Sequence, residues 1–201
     1  MSLVQNDLSE LDFFSSDSVF DKLYPTHIQE LAYRHWTPLE VAKKAADFLT
    51  QDGKVKILDI GSGVGKFCLA AAHYKPNSLY YGVEQRKSLV EHADAVKEKL
   101  GLSNVTFTQG NFTKVDFKQY DHFYFYNSFY ENLYGTQKID NSIEYSKELY
   151  NYYNIYLVRQ LEKMPEGTKL VTFHSQEDDM PRGYHIIGAD VENQLNYLVK
   201  I

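Results

Sequence analysis

The chain has 201 residues, 21 basic and 27 acidic side chains, a net charge of -6 and one cysteine. That length can bury a sizeable core in one domain, Cys68 alone excludes an intrachain disulfide, and the acidic balance argues against holding duplex nucleic acid mainly through its phosphates. A protein or small-molecule partner is therefore expected ahead of duplex nucleic acid. With no membrane-length apolar run and no export leader in the sequence, a cytoplasmic, non-membrane protein is expected.

Residues 1–20 are polar, with Leu11, Phe13 and Phe14 set among acids and serines. They read as a flexible tail before one domain spanning 21–201, and whether Met1-Ser2-Leu3 is native stays open. At Thr37-Pro38-Leu39-Glu40 a capping-box pattern starts a helix whose Val41, Ala45, Phe48 and Leu49 share a face, and Gly53 follows its end. Lys43, Lys44, Lys54 and Lys56 form a local basic run, most simply a solvated face.

A strand at Ile57-Leu58-Asp59-Ile60 then meets Gly61-Ser62-Gly63-Val64-Gly65-Lys66 and a helix through Ala70-Ala71-Ala72. Glycines at alternate positions let backbone approach a ligand closely, and a nucleoside-bearing cofactor is the expected guest, with a plain strand-to-helix turn as the alternative. Lys66 occupies the place where the dinucleotide fingerprint needs a small residue, and Gly65-Lys66-Phe67 lacks the phosphate-loop spacing. Next comes a buried strand, Leu79-Tyr80-Tyr81-Gly82-Val83-Glu84, whose closing carboxylate lies 21 residues after Gly63. Adjacent parallel strands would bring the two together, and a carboxylate there can accept both hydroxyls of a ribose.

Leu89, Ala93, Val96 and Leu100 mark a crossover helix stopped by Gly101, and Val105 to Gln109 form a strand running into Gly110-Asn111-Phe112. The strand Tyr120 to Tyr126 ends at Asn127-Ser128-Phe129-Tyr130, where the ligand crevice of an open α/β sheet lies. Ten of the 17 tyrosines fall between residues 120 and 156, so Phe129, Tyr130 and Tyr134 are candidate walls of a substrate pocket, with core packing as the alternative. A long helix is expected from about Ser142 to Met164, then a strand from Lys169 to His174. Two further strands, Tyr184 to Ile187 and Leu195 to Ile201, suit a hairpin, while Ser175 to Gly183 is too short for a full crossover helix. The seven histidines show no metal-ligand spacing, so no metal is expected.

The Asp59 to Gly65 run, Glu84 and Gly110-Asn111-Phe112 together resemble class I S-adenosylmethionine-dependent methyltransferases. Within that class, residues 55 to 130 are similar to the non-SET histone-lysine methyltransferases of the disruptor-of-telomeric-silencing type. That group's preceding helical domain has no counterpart here, so the resemblance carries the cofactor and not the target. Asn127-Ser128-Phe129-Tyr130 also resembles the Asn-Pro-Pro-Tyr motif of amino-methylating enzymes, without its prolines.

The resemblance implies an α/β, Rossmann-like fold with a seven-stranded, mostly parallel sheet and an antiparallel C-terminal strand pair. It implies methyl transfer from S-adenosylmethionine to an unidentified acceptor, a protein lysine or another amine among the candidates. Asp59, Gly61, Ser62, Gly63, Gly65, Glu84, Gln85, Asn111, Phe112, Asn127 and Thr37 would hold the cofactor. Asn127 would orient the reacting group, and His174 is the candidate base if the acceptor arrives protonated. A nicotinamide-dependent oxidoreductase and a catalytically silent nucleoside-binding module are the competing functions. The sequence leaves the oligomeric state open.

Overall fold

The computed structural model describes residues 12–175, 181–190, 192 and 194–201. Short apolar runs bounded by turn residues form seven strands: β1 (Lys56–Ile60), β2 (Leu79–Glu84), β3 (Val105–Gln109), β4 (His122–Tyr126), β5 (Lys169–Phe173), β6 (Tyr184–Asp190) and β7 (Leu195–Lys200). They lie in one sheet in the order β3-β2-β1-β4-β5-β7-β6. The first five pair in parallel, and β7 runs antiparallel between β5 and β6. This is the expected seven-stranded Rossmann-like methyltransferase architecture. It also accounts for the short link after β5. Because β6 is not the neighbour of β5, the chain turns out to the sheet edge and β7 fills the gap, so no crossover helix is required.

The helices are α1 (Asp17–Phe20), α2 (Thr26–Gln29), α3 (Ala32–His35), α4 (Leu39–Leu49), α5 (Lys66–Tyr74), α6 (Lys87–Leu100) and α7 (Lys147–Leu161). On one face of the sheet, Ile57, Tyr80, Tyr124 and Val171 pack against apolar side chains of α4, α5 and α6. On the other, Leu58, Ile60, Phe123, Phe125 and Leu170 pack with Tyr153, Leu157 and Leu161 of α7. Strands covered on both faces read as nearly continuous apolar runs, which is why β1 and β4 stand out in the sequence.

Residues 1–11, the first part of the expected tail, lie outside the described residues. From Phe13 onward the chain is packed: Phe14 stacks on His73 with ring centroids 3.8 Å apart, and Phe20 is buried. Two helix starts differ from expectation. Thr37 does not cap α4; its hydroxyl is 2.9 Å from that of Tyr124, and the Leu39 N–H donates instead to Asp17 Oδ1 at 3.0 Å. The capping oxygen thus comes from residues read as tail. Helix α7 begins at Lys147, capped by Ser146, because Asp140 and Ser142 are drawn into a polar cluster with Arg86.

Candidate active site

The turn after β1 is pinned to the end of β2: the N–H groups of Gly61 and Ser62 both donate to the Val83 carbonyl, at 2.9 and 3.0 Å. Its glycines face different ways. A Cβ on Gly61 would lie 2.3 Å from Ser128 Oγ, and one on Gly65 2.3 Å from the Phe107 ring. Gly65 therefore lets α5 pack closely on the sheet, which is the job the dinucleotide pattern would have placed at Lys66. At Gly63, with φ +54, nothing lies within 4 Å of the Cβ direction, and this residue borders a cavity of about 740 Å³.

That cavity is also bordered by Gly61, Glu84, Asn127, Tyr130 and His174 of the expected residues, and by Tyr33, His35, Arg86, Tyr126 and Ser128. Glu84 is buried at its edge; one carboxylate oxygen accepts the Gly63 N–H at 3.2 Å and the other the Arg86 N–H at 2.9 Å. Burial raises its pKa, opposed by the Arg86 backbone and guanidinium and by the Gly63 N–H. A smaller cavity of about 30 Å³ adjoins, bordered by Gln85, Gly110, Phe112, Phe129, Tyr145 and Tyr153. It has room for little more than water.

The guanidinium of Arg86 spans the junction, donating to Glu131 at 2.6 Å, the Tyr145 hydroxyl at 2.7 Å and Asp140 at 3.3 Å. Burial opposes its charge, but Glu131 and Glu84 outweigh that and raise its pKa. Sequence reading missed Arg86, although a cation two residues after the strand-ending acid was the available signal.

Several expected residues lie elsewhere. Asp59 is buried behind the turn, with the Cys68 thiol 3.7 Å from its carboxylate, and borders neither cavity. Burial pushes its pKa up to about 8. Ser62, Gly65 and Thr37 also border neither, since they serve the turn, the helix packing and the Tyr124 contact. Asn111 caps the turn that follows it through Thr113 N, while its amide nitrogen donates to Gln85 Oε1 and the Tyr153 hydroxyl. Phe129 is buried and stacks on Phe112 at 4.9 Å, so it belongs to the core beneath the small cavity. Tyr134 is fully exposed and borders neither cavity. Among the described residues no cluster of potential metal ligands occurs, and no helix is long and apolar enough to cross a membrane.

Residues 51–154 match the family model described as a methyltransferase domain. The chain belongs to that family. It is a class I methyltransferase, and S-adenosylmethionine is its cofactor, which leaves the nicotinamide reading without support. The tRNA (guanine-N(7)-)-methyltransferase of Synechococcus sp. (strain JA-3-3Ab) is 50% identical over 54 residues, 27% of this methyltransferase and 23% of the relative. The protein of the same name from Microcystis aeruginosa (strain NIES-843 / IAM M-2473) is 36% identical over 86 residues, 42% and 40% of the two chains. The matches thus span less than half the length of these curated relatives. The crystal structure of TrmN from Thermus thermophilus superposes with a TM-score of 0.59 at 17% identity, covering 87% of this chain and 52% of that one, a likeness of fold.

These relatives correct one expectation. The preference for a protein or small-molecule acceptor over duplex nucleic acid rested on net charge, a property of the whole chain that is silent about one local surface, whereas the curated relatives are named for tRNA.

The site also fits the cofactor on its own terms. Gly63 offers bare main chain to the large cavity, and Glu84, with both oxygens turned to neighbouring donors, retains acceptor capacity for a sugar diol.

Proposed function

We propose that this methyltransferase modifies a base of RNA, with tRNA as the acceptor. The observation that carries the reading is the aromatic wall of the large cavity: Tyr33, Tyr126 and Tyr130 with His35 and His174 stand around the opening beyond Gly63 and Glu84. Tyr33 and Tyr130 are exposed, at 90% and 53%. Flat rings with open faces suit the stacking of an unpaired base, which is how proteins hold single bases of RNA. The names of the curated relatives support the same acceptor. The resemblance of the core motifs to the non-SET histone-lysine group extends no further than the shared class I superfamily.

In this reading Glu84 receives the ribose hydroxyls, and Gly63 leaves room for the amino-acid end beside the main chain of Gly61. Gln85 and Phe112 take the purine end, with Asn111 holding Gln85 in place. When bound, the cofactor supplies an electrophilic methyl group on a sulfonium. The work left to the protein is alignment and exclusion of water: the walls hold the acceptor in line, and Asn127 and His174 border the approach. Residues 21–201 act as one domain, since the site draws on both Tyr33 and His174.

The test is incubation of the purified protein with methyl-labelled S-adenosylmethionine and, in separate reactions, unfractionated tRNA and a tRNA-free protein extract. Label in the nucleosides of digested tRNA is expected. Label in protein alone, or none in tRNA from a preparation that binds S-adenosylhomocysteine, overturns the RNA assignment.

A further inference from the structure

Among the described residues, three non-glycine residues have positive φ: Asn127 at 26°, His174 at 55° and Gln194 at 49°. They come from different parts of the chain, yet they touch. Asn127 Nδ2 donates to the His174 carbonyl at 2.9 Å, the His174 N–H donates to the Gln194 carbonyl at 3.0 Å, and His174 Nδ1 lies 2.6 Å from Gln194 Oε1. Such a conformation is strained for a residue with a side chain and persists only where neighbours over-determine it. Here the three hold one another, at the carboxyl ends of β4 and β5 and just before β7.

The side-chain contact has a chemical consequence. A carboxamide oxygen only accepts hydrogen bonds, so the hydrogen in the Nδ1 to Oε1 contact belongs to the imidazole. A neutral ring protonated on Nδ1 keeps an unshared pair on Nε2, and Nε2 has no protein partner among the described residues. The ring lies against Phe173 and Tyr126, with centroids 4.2 and 5.6 Å away, and borders both the large cavity and an adjoining one of about 310 Å³.

We propose that Gln194 is a positioning residue that fixes His174 as the Nδ1–H tautomer, so that the Nε2 lone pair receives an N–H of the methyl acceptor. The inference rests on reading the large cavity as the methyl-transfer site. It adds the kind of edge the site selects, a base presenting an N–H donor, and a residue outside every motif of the family resemblance. Because the His174 to Gln194 main-chain bond does not use the glutamine side chain, Gln194→Leu removes the tautomer control and leaves that pairing intact.

The experiment records imidazole nitrogen resonances of the 201-residue chain at neutral pH, with the His174 signals assigned by their loss in His174→Asn. Asparagine tolerates positive φ, so that variant retains the backbone. Nδ1 protonated and Nε2 bare is expected in the wild type, and this signature disappears in Gln194→Leu. The same variant is expected to lose about tenfold in kcat/KM on unfractionated tRNA, with its affinity for S-adenosylhomocysteine changed by less than about twofold. A wild-type His174 protonated on Nε2 overturns the proposal, as does Gln194→Leu with unchanged kcat/KM. If tRNA is not a substrate while S-adenosylhomocysteine binds, the RNA reading fails alone, and the nitrogen resonances still decide this one.

Discussion

The back and the front of the glycine turn carry the same residue types and use them in opposite ways. Behind it, Asp59 is buried with a thiol as its polar neighbour and Gly65 is pressed against Phe107. In front, Glu84 is buried almost as deeply but is met by the N–H groups of Gly63 and Arg86, and Gly63 faces open space. Burial raises the pKa of both carboxylates, and at Glu84 the surrounding donors oppose that rise and leave an acceptor that can serve a ligand. A glycine against a ring is a packing device; a glycine against a cavity is a binding one.

The largest expected effect comes from the back. With the Asp59 pKa raised from 3.8 to about 8, the folded protein between those values retains a proton that the unfolded chain has released. Stability therefore falls as pH rises through that window and levels off above it, by a total on the order of 5 kcal/mol. Asp59→Asn, neutral at every pH, should flatten this component in urea unfolding compared across the window. It should also leave S-adenosylhomocysteine binding unchanged, since Asp59 borders neither cavity. A slope that persists in the variant would mean that Asp59 ionises in the ordinary carboxylate range.

Next come the glycines. Gly65→Ala meets the Phe107 ring at 2.3 Å with φ at +81 and should cost about 3 kcal/mol of stability. Gly63→Ala, in open space with φ at +54, should cost about 1 kcal/mol of stability but weaken S-adenosylhomocysteine about tenfold. Paired thermal unfolding and calorimetric titration separate the two effects, and equal binding losses would erase the distinction between back and front. Glu84→Ala should likewise weaken the same ligand at least about tenfold, on the order of 1.4 kcal/mol.

The front was more legible in sequence than the back. Glu84 could be placed because a parallel strand-helix-strand unit brings adjacent strand ends together, and Gly63 because alternate glycines imply close approach. Asp59 sits in the same motif, but only the packing of Cys68 from α5 shows that its carboxyl is enclosed and not presented. Thr37 read as a cap because its true competitor, Asp17, is 22 residues upstream of Leu39, and no local pattern registers a cap supplied from that distance. The link between Asn127, His174 and Gln194 was equally out of reach, since it depends on β7 entering the sheet beside β5. Local periodicity carried the strands; tertiary partners decided what each polar side chain does.

The smallest expected effect concerns the small cavity proposed above for the purine end, where about 30 Å³ is less than an adenine ring requires. The loop over residues 127–146 narrows it, and Arg86 fastens that loop through Glu131, Asp140 and the Tyr145 hydroxyl. Tyr145 also donates to the Asp140 carbonyl at 2.7 Å, so its hydroxyl closes the loop on itself as well as on Arg86. Tyr145→Phe removes these bonds and keeps the ring, a loss of about 1 kcal/mol that falls on the fastened state. If the loop must loosen before the purine enters, S-adenosylhomocysteine should associate about fivefold faster with the variant in stopped-flow mixing, and dissociate faster in proportion. Unchanged rates would place the barrier to entry elsewhere, because loosening the strap acts on cofactor exchange only if the strap is what the cofactor waits for.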